Sequence, residues 1–229
     1  MMIEAILFDK DGTLFDFRKS WGAWAASLLA ELTPDADEQL RLGMAIGYDL
    51  RDHSFAPDSP VIAATPSEIA AALAPHFTRL TADQLEIRMN MLAADAPMTP
   101  AVPLVPLLSH LRGMGLKLGV ATNDVEGAAL AHLTRAGIVG LFDRVLGCDS
   151  GYGGKPNPGM LLAFANHVGI APARIAMVGD SKHDLDAGRA AGMAAVAVLT
   201  GVATRADLTP HADIVLDDIS HLPQWLAAS

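Results

Sequence analysis

The stretch Ile3-Glu4-Ala5-Ile6-Leu7-Phe8-Asp9-Lys10-Asp11-Gly12-Thr13 decides how the rest of the chain is read. A short apolar run, Ile3 to Phe8, breaks off into two aspartates, a glycine and a threonine. Apolar runs of this length suit strands buried on both faces of a parallel sheet. Comparable runs follow at Lys117 to Ala121, Arg144 to Gly147, Ile175 to Val178, Ala194 to Leu199 and Asp213 to Leu216. Between the later runs lie helical patterns, Val125 to Ala136, Gly159 to Val168 and Lys182 to Ala191, which close on Gly137, Gly169 and Gly192. Glycine is the residue favoured just past a helix C-terminus. Strand and helix in alternation predict an α/β doubly wound parallel sheet.

Roughly a hundred residues separate the first run from the second without reading as strand, too many for one crossover connection. Trp21, Trp24, Leu28, Leu29 and Leu32 fall at helical spacing, as do Leu85, Met89 and Leu92. With Leu40 to Met44 and Ile69 to Leu73 as further helices, the insert reads as a small helical domain. The expected division is a core of residues 1–16 and 98–229 and a helical insert of residues 17–97. Pro97, Pro100, Pro103 and Pro106 mark the return to the core, stiff because each fixes φ. Inserts of this size usually serve function, here as a lid.

Composition narrows the partners. The chain has 229 residues, 51% hydrophobic and 18% charged, which excludes disorder as the main state. At about 150 residues per domain, that length suits one large domain or one and a half. Sixteen Lys and Arg against 26 Asp and Glu give a net charge of −10, so nothing attracts a nucleic-acid backbone or an anionic membrane surface. The single cysteine, Cys148, cannot form an internal disulfide and fits a reducing compartment. Glu4 and Asp9 interrupt what would have to be an export signal, and the uncharged stretches fall short of the ~20 residues that span a bilayer. A cytoplasmic protein is expected.

In an open α/β sheet, ligands sit outside the carboxyl ends of the strands. The first run ends in Asp9-Lys10-Asp11-Gly12-Thr13, the second in Thr122-Asn123-Asp124, the fourth in Gly179-Asp180-Ser181-Lys182-His183-Asp184. After the third comes Gly153-Gly154-Lys155-Pro156-Asn157-Pro158, with Asn157 as the expected N-cap and Pro158 at the first helical position. Each piece alone has a bland explanation as a cap, turn or solvated charge. Together they bring acids, a hydroxyl and an ammonium to one edge, which suits a phosphoryl group with a divalent cation.

These four motifs, in this order, resemble the haloacid dehalogenase superfamily, and the layout resembles its phosphoglycolate phosphatase-like branch. The placing of the helical insert directly after the DxDGT of Asp9 to Thr13 is similar to that family's first cap type. The resemblance implies a Rossmann-like core and a Mg²⁺-dependent phosphatase acting on a small phosphorylated metabolite, as a monomer or homodimer. It implies Asp9 as nucleophile, Asp11 as general acid and then base, and Thr122, the Asn123 backbone N–H and Lys155 as the phosphoryl clamp. Metal ligands would be Asp9, the Asp11 carbonyl and Asp180, with Asp184 in support. Thr13 joins the substrate-binding set, and Gly12 permits a tight turn. Asp11 favours phosphate esters, because the carbon-attacking branches carry no acid there. A phosphomutase and a catalytically idle metabolite-binding module are the alternatives, although the mutase cap signature is not recognised. A protein phosphatase is disfavoured by the large cap.

From Phe17 to Pro97 there are six Lys and Arg and eleven Asp and Glu. If the substrate is phosphoglycolate, its carboxylate wants a cation such as Arg51 or Arg18. His183 sits where the family varies and reads as a helix-start residue. Lys10 is expected to point away from the site by strand alternation, toward solvent or an ion pair. Trp21 and Trp24 either line the insert's inner face or form an apolar core stripe, the commoner role for such spacing.

Overall fold

Residues 2–228 are described in this computed structural model, so the chain ends at Met1 and Ser229 lie outside the description. Strand β1 is Ala5–Phe8, and after it come helices α1 (Phe17–Leu32) and α2 (Ala36–Ala45). A short hairpin follows, β2 (Tyr48–Asp49) and β3 (Ser54–Phe55), then α3 (Pro66–Leu73) and α4 (Ala82–Ala94). The chain returns through α5 (Leu104–Gly113), β4 (Lys117–Ala121), α6 (Glu126–Arg135), β5 (Arg144–Leu146) and α7 (Gly159–Val168). It ends with β6 (Ile175–Gly179), α8 (Lys182–Ala191), β7 (Ala194–Val198), α9 (Arg205–Leu208), β8 (Ile214–Leu216) and α10 (Leu222–Ala228).

Six strands form one parallel sheet in the order β5-β4-β1-β6-β7-β8. Strand order reverses about β1, so β1, β4 and β6 share the switch point where an α/β sheet opens a crevice. Phe8, the last residue of β1, is in register with Val120 on one side and Val178 on the other. Alternation sorts the sheet residues. Ile6 and Phe8 join Leu104, Leu108 and Leu111 of α5 on one face, while Ala5 and Leu7 join Met160, Leu161 and Phe164 of α7 on the other. Each such fully buried Leu or Phe contributes roughly 1.5–3 kcal/mol. Gly137, Gly169 and Gly192 all take positive φ, as their place after a helix predicts.

The segment between β1 and β4 is mainly helical and has its own apolar cluster, which runs from Phe17 to Ala96. Its helices carry side-chain caps: Asp16 for α1, Asp35 for α2, and capping boxes from Thr65 and Thr81 for α3 and α4. Met98 packs against this cluster and against the sheet's own, which joins the two.

Two local expectations need correction. The segment between the first two apolar runs, expected without strand, holds the small β2–β3 hairpin, too short for periodicity to reveal. Pro158, not Asn157, occupies the cap position of α7, although the Asn157 side chain still accepts the Gly159 N–H at 2.8 Å. Among the described residues, no helix is long and apolar enough to cross a membrane.

Candidate active site at the carboxyl edge of the sheet

Asp9 directly follows β1, and its N–H donates to Val178 O of β6 at 2.8 Å, which fixes the residue at the sheet edge. The chain then turns sharply: Leu14 N and Phe15 N both donate to Lys10 O, and Gly12 N donates to Phe15 O. Gly12 has φ +80°, and a Cβ there would collide with the Asp180 carboxylate. Any other residue would therefore be strained and would also push the Asp180 carboxyl away from the turn. Thr200 Oγ1 ties this turn down by donating to Gly12 O at 2.5 Å.

Lys155 reaches the same point from the loop before α7. Its Nζ lies 2.5 Å from Asp9 Oδ1, 2.6 Å from Asp184 Oδ1 and 2.7 Å from Ala121 O. Asn123 holds the lysine backbone from both sides, accepting Lys155 N–H at 2.7 Å and donating to Lys155 O at 2.9 Å. The same amide donates to Ala63 O at 2.7 Å, which joins the helical segment to the β4 loop. Asp184 uses its other oxygen on Ser181, accepting from the backbone N–H at 3.0 Å and from Oγ at 2.7 Å.

Carboxylate oxygens of Asp9, Asp180 and Asp184 lie within 4.8 Å of one another. All three residues are buried. Burial lifts the Asp9 carboxyl to about 7, against the pull of Lys155 and with added push from Asp184 and Asp11. Burial, then repulsion from Asp184 and Asp9, holds Asp180 well above the usual carboxylate range. Burial pulls Lys155 down, but the Asp184 and Asp9 charges outweigh it and keep the ammonium protonated. Three acids and one ammonium leave the cluster short of positive charge, and hard oxygen donors in that state fit Mg²⁺.

A cavity of about 620 Å³, its mouth included, opens between this edge and the helical segment. Asp9, Asp11, Thr122, Asn123, Lys155 and Asp184 line it from the sheet side. Thr122 Oγ1 accepts the Asp124 N–H at 3.1 Å, which leaves its own proton to donate. Four expected site residues are not on the cavity wall. Thr13 is fully buried, with an unpartnered hydroxyl, and is off the wall. Arg18 and Arg51 are both exposed, Arg18 on the outer side of α1 and Arg51 in the β2–β3 hairpin, and neither is on the wall. Asp180 lies behind the wall, against Gly12 and Gly201.

Of the two places expected for Lys10, solvent or an ion pair, the structure takes the ion pair. The Lys10 side chain is fully buried, with Nζ 2.8 Å from Asp11 Oδ2, 2.9 Å from Asp124 Oδ2 and 3.0 Å from His132 Nδ1. It also lies over the Trp21 ring at 5.3 Å, and His132 reaches Ala93 O at 2.7 Å. Burial and then the Lys10 charge hold His132 below the usual histidine range. Cys148 is half-buried and its thiol is pushed up to about 12, chiefly by burial, so it behaves as a small hydrophobe.

The other half of the wall holds residues that the sequence favours for other roles, and Asn90, which it does not single out. Trp21, Trp24, Asn90 and His183 all line the cavity, with Phe17, Ile69 and Met89 among their apolar neighbours. Asn90 left one trace, an amide set at helical spacing from Ala93 beside the buried Met89.

The sequence matches the haloacid dehalogenase-like hydrolase family over residues 3–192. It is 32% identical over 221 residues to the "Probable phosphatase IndB" of Dickeya dadantii, covering 95% of this chain and 90% of the relative. It is also 32% identical over 223 residues to a phosphoglycolate phosphatase of Chromobacterium violaceum, covering 96% and 95%. A crystal structure of a predicted phosphoglycolate phosphatase from Haemophilus somnus superposes with a TM-score of 0.77 at 21% identity, covering 98% of each chain. With the four motifs gathered at one sheet edge and the match spanning most of the sequence, the chain belongs to the haloacid dehalogenase-like hydrolases.

Proposed function

We propose that this chain is a Mg²⁺-dependent phosphatase that hydrolyses a small phosphate monoester through an aspartyl phosphate on Asp9. One observation carries the reading: the Asp9 carboxylate stands at the end of a central strand, 2.5 Å from Lys155 Nζ and clustered with Asp180 and Asp184. Asp9, the Asp11 carbonyl and Asp180 would hold the metal, with Asp184 supporting the arrangement by fixing Lys155. Bound there, Mg²⁺ would offset the repulsion between Asp9 and a phosphoryl dianion.

The protein's own groups then divide the work. An Asp9 carboxylate oxygen attacks phosphorus in line while the ester P–O bond breaks. Asp11 gives its proton to the leaving oxygen, then takes one from the water that attacks phosphorus, and phosphate departs with Asp9 restored. Lys10 grips the Asp11 carboxylate in this state, so Asp11 must let go of it before meeting the leaving oxygen. Lys155, the Thr122 hydroxyl and the Asn123 N–H hold the phosphoryl oxygens. Asn123 positions Lys155 with its side chain and serves substrate only through its backbone. The helical segment covers the sheet edge, which suits a metabolite, obstructs a folded protein substrate and keeps bulk water out during transfer.

The test is phosphate release from a panel of small esters, p-nitrophenyl phosphate and phosphoglycolate included, with Mg²⁺ and again with chelator. Metal-dependent release supports the reading. No release from any ester by folded, Mg²⁺-bearing protein contradicts it, and phosphate retained on a rearranged product would point to a mutase.

A further inference from the structure

The helical end of the cavity carries a pattern that the phosphoryl chemistry leaves unexplained. Four residues that line the cavity each carry one buried polar atom with no hydrogen-bond partner: Trp21 Nε1, Trp24 Nε1, Asn90 Oδ1 and His183 Nδ1. Among the described residues only five such atoms exist, and the fifth, on Thr13, is away from the wall. Native proteins seldom leave buried polar groups unpaired, so four in residues that line one cavity call for an explanation. They come from three separate helices, α1, α4 and α8, so the pattern is not an accident of one element's packing.

Their chemistry selects the ligand. Indole N–H only donates, the Asn90 carbonyl only accepts, and the imidazole nitrogen does either according to tautomer. A hydroxyl can answer all of them, because it donates and accepts. A carboxylate only accepts, so it could answer the indoles and the imidazole but not Asn90 unless that amide turned its Nδ2 inward. Charge argues the same way. Asp9, Asp11, Asp124 and Asp184 stand on the wall with Lys155 as its one lysine or arginine, and Lys155 is already held by two carboxylates. The cations that a carboxylate would need, Arg18 and Arg51, are outside. Trp21 and Trp24, set edge to face with centroids 5.1 Å apart, add apolar surface for the C–H faces of a carbon skeleton.

Resting on the phosphatase reading, we propose that Trp21, Trp24, Asn90 and His183 form the leaving-group subsite. It selects an uncharged, hydroxyl-bearing leaving group, a polyol or sugar, over a carboxylate. The enzyme thereby parts from the substrate named for its Chromobacterium violaceum relative. His183 becomes a specificity residue contributed by the sheet side.

The experiment uses the full chain with Mg²⁺ and compares kcat/KM for glycerol phosphate and a hexose phosphate with those for phosphoglycolate and phosphoglycerate. The uncharged esters should lead by about tenfold or more, since a site built for hydroxyl contacts rejects what cannot make them. Trp24→Phe keeps a ring but deletes the N–H, and Asn90→Leu deletes the acceptor. Each should raise KM for the uncharged esters more than it lowers kcat and so narrow the gap, with the thermal midpoint measured to show that the variants fold. A lead for the carboxylate esters, or a gap that both folded variants leave unchanged, overturns the proposal while the phosphatase reading survives. Release from none of the four or from p-nitrophenyl phosphate overturns both.

Discussion

At the sheet end of the cavity, Lys155 Nζ meets three oxygens within 2.7 Å, and both Asp184 oxygens are engaged. At the other end, Trp21, Trp24 and Asn90 of the helical segment, with His183 of α8, carry polar atoms that meet nothing. One end is charged and already organised; the other is uncharged and unpaired. Phosphoryl transfer is the same reaction whatever the ester, so its groups can be pre-set against one another. A leaving group differs from substrate to substrate, so its groups acquire partners only when the right molecule arrives.

Substitutions at the two ends should therefore fail differently. Asp9→Asn keeps the shape and removes the nucleophile, so kcat should drop by about a thousandfold or more with the circular dichroism spectrum unchanged. Near wild-type turnover in that variant would break the comparison at its organised end. Lys155→Met strips the counter-ion from two buried carboxylates. Losing one partner of a buried pair costs about 3–5 kcal/mol, and kcat/KM should fall by about a hundredfold. Thermal melts and steady-state kinetics together would show whether stability and activity fall as one there.

The organised end should also be pH-sensitive when metal-free. Asp9 lies near 7 in the folded protein against an ordinary 3.8 unfolded, so the folded state keeps a proton that the unfolded state loses. Its contribution to stability is complete at low pH and is lost as pH rises from about 4 through about 7, and Asp180 shifts the same way. Mg²⁺ binds the ionised acids, so the rise in thermal midpoint on adding it should be larger near pH 8 than near pH 5, by several degrees on the order expected for a domain of this size. An equal or larger rise near pH 5 would show that these carboxyls are not the ones engaged. The smallest effect is expected outside the cavity. Arg51→Ala should leave kcat/KM within about twofold, as exposed residues away from functional features usually do, and a tenfold loss would bring the hairpin into the site.

The organised end was also the legible end. Asp9, Asp11, Thr122, Lys155 and Asp184 each follow an apolar run, so strand endings and the parallel-sheet rule together locate them at one edge. Asp180 follows the same rule and comes to that edge behind the Gly12 turn. Thr13 fits the motif as well as its neighbours do, yet it is fully buried off the wall, which spacing alone does not encode. Lys10 was half legible: alternation gave the ion pair, but the burial depends on Asp124 and His132 from distant segments. The helical end was illegible because its residues serve two purposes. Trp21 and Trp24 belong to the apolar cluster and line the cavity at once, and only the tertiary arrangement shows that their N–H groups lack partners.

The account stands most directly on whether phosphate passes through Asp9. Rapid acid quench during turnover with Mg²⁺ and the best ester, followed by peptide mass spectrometry, reads this without reference to rate. The account predicts a phosphoryl group on the peptide bearing Asp9, absent from the Asp9→Asn protein. A phosphoryl group on another residue, or none while Asp9→Asn still turns over, would contradict it.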